Sequence, residues 1–229
     1  MLAKRAIVLL SGGLDSSTLL YQLQFEDYDV IGLAVDYGQR HAREIASALA
    51  VAEVARVPLM NLQLAAALAP VFAQAKSSQV GRNKAEVPHG HYASDAMKTT
   101  IVPNRNMLLL ALAGALAESV GAGVVAYGAH AGDHPIYPDC RPEFYESCDE
   151  TLKFATAERV ALYAPFGRIT KSDIVRRATQ LRVPLGLTWS CYEDRDLHCG
   201  ACGTCVERIE AFRDANVPDP TKYASAASV

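Results

Sequence analysis

Nothing in this chain limits its folding more than the stretch Leu9-Leu10-Ser11-Gly12-Gly13-Leu14-Asp15-Ser16-Ser17-Thr18-Leu19-Leu20. An apolar run over residues 6–10 feeds it, and Leu14, Leu19, Leu20 and Leu23 leave it with helical spacing. This pattern predicts a strand, a tight turn at the paired glycines, and a helix. Glycine accepts positive φ and lets backbone N–H groups come close to a ligand. Ser16, Ser17 and Thr18 add hydroxyls at a helix N-terminus, where unpaired N–H groups and the dipole favour an anion. The turn suits a phosphate. No Lys-Ser/Thr pair follows the second glycine, which excludes the Walker pattern. The glycines are adjacent rather than spaced, which excludes the dinucleotide fingerprint.

The rest of the chain alternates between short apolar runs and helical periodicity. Residues 29–35 predict a second strand ending in the polar loop 36–41, then a helix over 41–56 and a third strand over 57–62. Alternation with short connections argues for βαβ units and a parallel sheet. Residues 76–98 break the pattern and read either as a long mobile loop near the active site or as an inert surface insertion. Helices are expected over 107–120, closed by Gly121, over 141–157, and from Thr170-Lys171-Ser172-Asp173 to Leu181, where Thr170 and Asp173 have capping-box spacing. A strand over 124–127 precedes Gly128-Ala129-His130-Ala131-Gly132-Asp133-His134. Ligands in open α/β sheets sit outside the carboxyl ends of the strands. The loops after Leu10, Val35 and Tyr127 are therefore expected to share one cleft. The small-residue tail, 224–229, is expected to fray.

At 229 residues with half of them hydrophobic, the chain fits one large domain or one domain plus an appendage. We expect an α/β domain over 1–186 and a C-terminal segment with a helix over 187–229, packed on that same domain. The net charge of −3 gives no support to a nucleic-acid surface. No apolar run reaches membrane-span length, and residues 1–5 precede only a short strand, so neither an anchor nor a signal peptide is expected. A cytoplasmic protein follows, whose six cysteines are metal ligands or thiols rather than disulfides. Cys191, Cys199, Cys202 and Cys205 form C-x7-C-x2-C-x2-C. Four thiolates that can converge on one ion suit tetrahedral zinc, one per chain, in a structural role because no coordination position stays open. An iron–sulfur cluster and a Cys202–Cys205 redox pair are the competitors. Acidic residues outnumber basic ones across this segment, which argues against a grip on nucleic acid. Cys140 and Cys148 read as ordinary thiols.

The SGGLDSS run resembles the pyrophosphate loop of the ATP pyrophosphatases. That resemblance implies a Rossmann-like adenine-nucleotide alpha-hydrolase fold, a parallel sheet with helices on both faces, and a loop that holds the β- and γ-phosphates of ATP. Further motifs narrow it: Asp36-Tyr37-Gly38-Gln39-Arg40-His41, Val102-Pro103-Asn104-Arg105-Asn106, Gly128-Ala129-His130 with Asp133, Tyr137-Pro138-Asp139-Cys140-Arg141-Pro142-Glu143-Phe144, Thr170-Lys171-Ser172 and the four cysteines. Together they resemble the 7-cyano-7-deazaguanine synthase family from Ala6 to about Arg213.

The resemblance implies that 7-carboxy-7-deazaguanine, ammonia and ATP become the nitrile in one site, through adenylated acid and amide, in queuosine biosynthesis. It implies nucleotide contacts along Leu10, Ser11, Gly12, Gly13, Leu14, Asp15, Ser16, Ser17, Thr18, Leu19 and Leu20. Asp15 has two readings: it orders the loop as a cap, or it holds Mg2+ against the phosphates. Lys171 matches a lysine that neutralises phosphate charge. Arg105 and Arg141 are candidates for clamping the carboxylate, and Asp133 and Glu143 for pairing with the guanine-like edge. His130 and His134 either move protons or cap a loop. No glutaminase segment is visible, so free ammonia is the expected donor. No nucleic acid or membrane partner is expected, and a homodimer is left open. A tRNA-thiolating enzyme with the same loop, and a non-catalytic adenine-nucleotide module, are the rival readings.

Overall fold

A computed structural model describes residues 4–40, 43–82, 84–193 and 195–224. His41, expected at the end of one loop and the start of a helix, lies outside the described residues, as do Asp194 and the tail 225–229.

The first strand shows how the sequence builds both faces of the sheet. In β1 (Lys4–Leu9), Ala6 and Val8 enter one hydrophobic core while Ile7 enters the other. This is the period-two alternation of a strand buried on both sides. β2 (Tyr28–Asp36), β3 (Leu59–Gln63), β4 (Val124–Ala126) and β5 (Ala161–Tyr163) complete a five-stranded sheet in the order β3-β2-β1-β4-β5. Every pairing is parallel.

The helices are α1 (Leu14–Phe25), α2 (Arg43–Ala55), α3 (Ala65–Phe72), α4 (Arg105–Val120), α5 (Pro142–Ala155), α6 (Lys171–Gln180) and α7 (Gly203–Ala215). One core joins Leu19, Leu20 and Leu23 of α1 to Ile174 and Val175 of α6 and Phe212 of α7. The other joins Leu110 and Ala113 of α4 to Tyr145 and Cys148 of α5. The chain runs from β1 outwards to β3 and then crosses back to β4 beside β1. A crevice therefore opens where the strand order reverses.

The expected elements are present with small shifts at their ends. The capping box at α6 forms as the spacing predicts: Thr170 Oγ1 accepts from Asp173 N, and Asp173 accepts from Thr170 N. Two elements were not legible. β5 has three residues, too few to show a period. α3 carries Pro70 inside it, a residue that argues against helix in sequence.

The described residues of 76–98 lack regular structure up to the 3-10 turn Asp95–Thr100, as expected, but they do not form a free loop. Ser77, Ser78, Gln79, Val80, Val87, Tyr92 and Met97 are buried. Gly90 N donates to Ala201 O and Gly203 N donates to Pro88 O, which pins the segment onto the start of α7.

Gly12 has φ +82, and a Cβ there would lie 2.4 Å from Glu44 O and 2.5 Å from Ala48 N. The glycine thus admits the backbone of α2, a packing role beyond the turn itself.

Candidate active site

The first loop is tied by its own serines. Ser11 Oγ and Ser16 Oγ lie 3.0 Å apart, Ser11 N donates to Ser16 Oγ at 3.2 Å, and Gly13 N donates to Ser11 Oγ at 3.3 Å. The cleft beside it is lined by Leu10, Ser11, Gly13, Leu14, Asp15 and Ser16, by Val35 at the end of β2 with Tyr37 and Gln39 beyond it, and by Tyr127, Gly128 and Ala129 after β4. The three loops expected to converge do share it.

The remaining loop candidates face elsewhere. Leu19 and Leu20 are fully buried in the core, and Thr18 returns its hydroxyl to Leu14 O at 2.7 Å, so a nucleotide cannot touch these three side chains. Gly12 and Ser17 are buried behind the wall, and Ser17 Oγ has no hydrogen-bond partner.

At the loop's side a charged network converges. Lys171, the first residue of α6, places Nζ 2.9 Å from Asp15 Oδ2 and 3.0 Å from Glu207 Oε2. Burial alone would push this ammonium towards neutrality, but Asp15 and Glu207 outweigh it and hold it charged. His130 Nε2 lies 3.2 Å from the same Nζ. Because His130 Nδ1 accepts from Gly132 N, a neutral His130 carries its proton on Nε2 and offers Lys171 no acceptor. Asp133 is held below the usual carboxylate range: burial raises it, and His130, Lys171 and the Tyr92 hydroxyl at 2.8 Å more than offset that. Burial pushes Glu207 upward, with Lys171 and His130 pulling it partly back. Asp15 Oδ1 is buried without a partner.

The other end of the cleft is lined by aromatic hydroxyls around one cation. Arg105 stays charged against the pull of burial because Tyr37, Tyr192 and Asp139 stand close. Tyr37, Tyr137 and Tyr192 line the same wall. Asn106 fixes the wall's backbone, donating to Tyr127 Oη at 2.9 Å and to Asp139 O at 3.2 Å. Asp15, Ser16, Lys171, Arg105 and Asp133 thus line one cleft. Arg141 does not. It is exposed and its Nε donates to His134 O at 2.9 Å, while Glu143 is exposed on the first turn of α5. The clamp expectation therefore narrows to Arg105. Tyr92, Tyr192 and Glu207 were not singled out, and Tyr137 only as part of a motif, since a tyrosine or glutamate alone carries no spacing signal.

The four cysteines are buried, and their sulfurs lie within 4.8 Å of one another. The Cys199–Cys205 and Cys202–Cys191 sulfur pairs are each 3.9 Å apart. That is close to the edge of a tetrahedron of thiolates bonded at ~2.3 Å to one ion, and about twice a disulfide bond. Backbone N–H groups of Glu193 and Cys199 donate to Cys191 Sγ, and those of Ala201 and Cys202 donate to Cys199 Sγ, as thiolate ligands require. The donor set fits a single tetrahedral ion.

Beside it, Arg208 is fully buried. It donates to Thr188 Oγ1 at 2.9 Å, Ser190 Oγ at 3.2 Å and Leu185 O at 3.1 Å, and pairs with Asp219 at 3.4 Å. Arg208→Ala should cost about 3–5 kcal/mol, because Asp219 and the Leu185 carbonyl lose a buried partner. Urea unfolding checks this; an unchanged midpoint would show that the guanidinium contributes nothing.

A parallel sheet in this order, with a serine-glycine turn opening a helix at the carboxyl end of the central strand, defines a nucleotide-binding α/β protein. Solved structures share the fold: the NMN synthetase of Francisella tularensis has a TM-score of 0.53 at 13% identity, covering 98% of this chain and 90% of that one. The NH3-dependent NAD synthetase of Campylobacter jejuni has a TM-score of 0.50 at 14% identity, covering 82% and 68%. Within this class the chain belongs to the family described as queuosine biosynthesis protein QueC, which it matches over residues 5–216. A relative in Caldicellulosiruptor bescii, 45% identical over 96% of this chain and 97% of its own length, is named 7-cyano-7-deazaguanine synthase. One in Methanoregula boonei, 42% identical over 96% and 99%, has the same name. Among the described residues, no helix is long and apolar enough to cross a membrane.

Proposed function

We propose that this chain is an ATP-dependent carbon–nitrogen ligase that converts 7-carboxy-7-deazaguanine and ammonia to 7-cyano-7-deazaguanine in the cytoplasm. The observation that carries the reading is a serine-glycine loop with Lys171 at one end of a cleft and the tyrosine-lined Arg105 at the other. Residues 1–186 carry the phosphate loop, Lys171 and Arg105, and the segment 187–229, which holds the four cysteines, adds Tyr192 to the cleft wall.

A carboxylate resists ammonia because its carbon is electron-rich and its leaving group would be oxide. Attack of the carboxylate on the α-phosphate of ATP forms an acyl adenylate and expels pyrophosphate. Ammonia then displaces AMP and leaves the amide. A second adenylation on the amide oxygen, followed by loss of AMP and the remaining nitrogen-bound proton, gives the nitrile. Ser11, Gly13, Ser16 and Lys171 bind the departing pyrophosphate in this scheme. Arg105 clamps the carboxylate bidentately. Asp133, held ionised, accepts from the N–H edge of the heterocycle. Asp15, with its unpartnered Oδ1, would hold Mg2+, which supplies charge neutralisation to the phosphates. The ion at Cys191, Cys199, Cys202 and Cys205 is zinc in a structural role. A tRNA-thiolating activity has no support in the cleft: its one lining thiol, Cys140, is pushed up by burial and is a poor nucleophile.

Incubation with ATP, Mg2+, ammonia and the 7-carboxy compound should yield the nitrile by mass. Its absence with folded, metal-loaded protein would refute the assignment. A clamp acts on the charged acid alone. Arg105→Leu should therefore lower kcat/KM for the acid by about 1.5–3 kcal/mol more than for the amide, or roughly tenfold to a hundredfold. Equal losses on both substrates would remove Arg105 from the clamp. Arg141→Ala should produce no such gap.

A further inference from the structure

α7 starts inside the cysteine segment and presents neighbouring residues to different parts of the molecule. Cys205 joins the sulfur cluster, and Arg208 is buried against the 185–190 chain and Asp219. Residues two apart on a helix point roughly 200° away from each other. Glu207 therefore leaves the cluster side and meets Lys171 at 3.0 Å. Its side chain is 12% exposed. It also packs close to Gly132, where a Cβ would lie 3.1 Å from Glu207 Oε1.

Lys171 needs such a partner. A lysine stem is flexible, and its ammonium is a point charge without the built-in direction of a guanidinium. Asp15 fixes it from one side at 2.9 Å. His130, with its proton on Nε2, cannot fix it from another. Among the described residues, Glu207 is the other carboxylate this close, an ion pair at 3.0 Å whose Oε2 lies outside hydrogen-bond geometry, and it comes from a helix whose rotation is set by Cys205 and Arg208.

We infer that Glu207 is a positioning residue for the adenylation: it fixes the Lys171 ammonium beside the phosphate loop, and so links the cysteine segment to the chemistry. The inference rests on the reading of Lys171 as the phosphate-binding cation. It has a distinctive kinetic consequence. Glu207 helps turnover by placing a cation, yet its own negative charge opposes a triphosphate. Removing it should lower kcat while leaving the KM for ATP unchanged or lower. A general structural defect would lower kcat and raise KM together.

The test is steady-state pyrophosphate release with the 7-carboxy substrate and ammonia, on wild type, E207Q, E207A and K171A, with metal content and melting temperature measured for each. E207A should lose roughly tenfold to a hundredfold in kcat, the scale of loss when a catalytic charge is misplaced by about 1 Å. E207Q, which keeps an acceptor oxygen, should recover part of that loss at full metal content and unchanged melting temperature. Wild-type kcat in both Glu207 variants, alongside a crippled K171A, would overturn the positioning role. So would a rise in KM for ATP matching the fall in kcat in E207Q. Wild-type kcat in K171A would instead remove the reading on which the inference rests.

Discussion

Cys202→Ser is expected to release the bound metal and to leave the protein largely insoluble. Cys202 is fully buried, its sulfur stands 3.9 Å from that of Cys191, and its backbone caps the N-terminus of α7. Structural zinc contributes about 10–16 kcal/mol of apparent binding free energy in small peptide systems. A whole domain is stable by only about 5–15 kcal/mol. Even a fraction of the metal term is therefore decisive here. The damage would spread beyond the segment, because the 88–90 chain hydrogen-bonds to Ala201 and Gly203, and α7 contributes Phe212 to the core under α1. Metal analysis on soluble protein, with thermal unfolding, checks this. A soluble, metal-free variant that melts with the wild type would show that the cysteines have no structural role.

Lys171→Ala should abolish most turnover while the fold still forms, at lower stability because Asp15 and Glu207 lose a buried partner. Lys171 stands at the first position of α6, and the cap made by Thr170 and Asp173 does not involve its side chain. Its removal leaves Asp15 and Glu207 facing the phosphates without a cation. Losing one well-placed electrostatic group commonly costs roughly 10²–10³-fold in kcat, and two bared carboxylates add repulsion. Pyrophosphate release under saturating substrates measures the effect. A variant within threefold of wild type would mean that Lys171 serves packing alone.

The fold was readable where a signal repeats. β1, β2 and the helices over 14–25 and 105–120 are long apolar stretches bounded by glycine or polar turn residues, which show in sequence. The Thr170–Asp173 spacing named its helix start, and the cysteine spacing named a cluster whose sulfurs do converge. What stayed hidden depends on long-range pairing. β5 is a three-residue edge strand defined by its neighbour β4. The 76–98 segment is held by hydrogen bonds to the cysteine turn, more than a hundred residues away. Within the site, Arg105 and Arg141 looked alike in sequence, each beside a polar motif. Only the packing separates them, with Arg105 among tyrosines in the cleft and Arg141 turned outward onto His134. Glu207 was passed over for a related reason. In sequence it is one acid among several near the cysteines, and its meaning comes from α6, to which α7 is packed.

The central claim is that one cleft adenylates twice, first an acid and then an amide. The most direct measurement is the ratio of AMP and pyrophosphate to nitrile from each starting substrate. The account predicts two AMP and two pyrophosphate per nitrile from the 7-carboxy compound with ammonia. From the 7-amido compound with ATP alone it predicts one of each. ADP and phosphate as products, or an amide that does not react with ATP in the absence of ammonia, would contradict it.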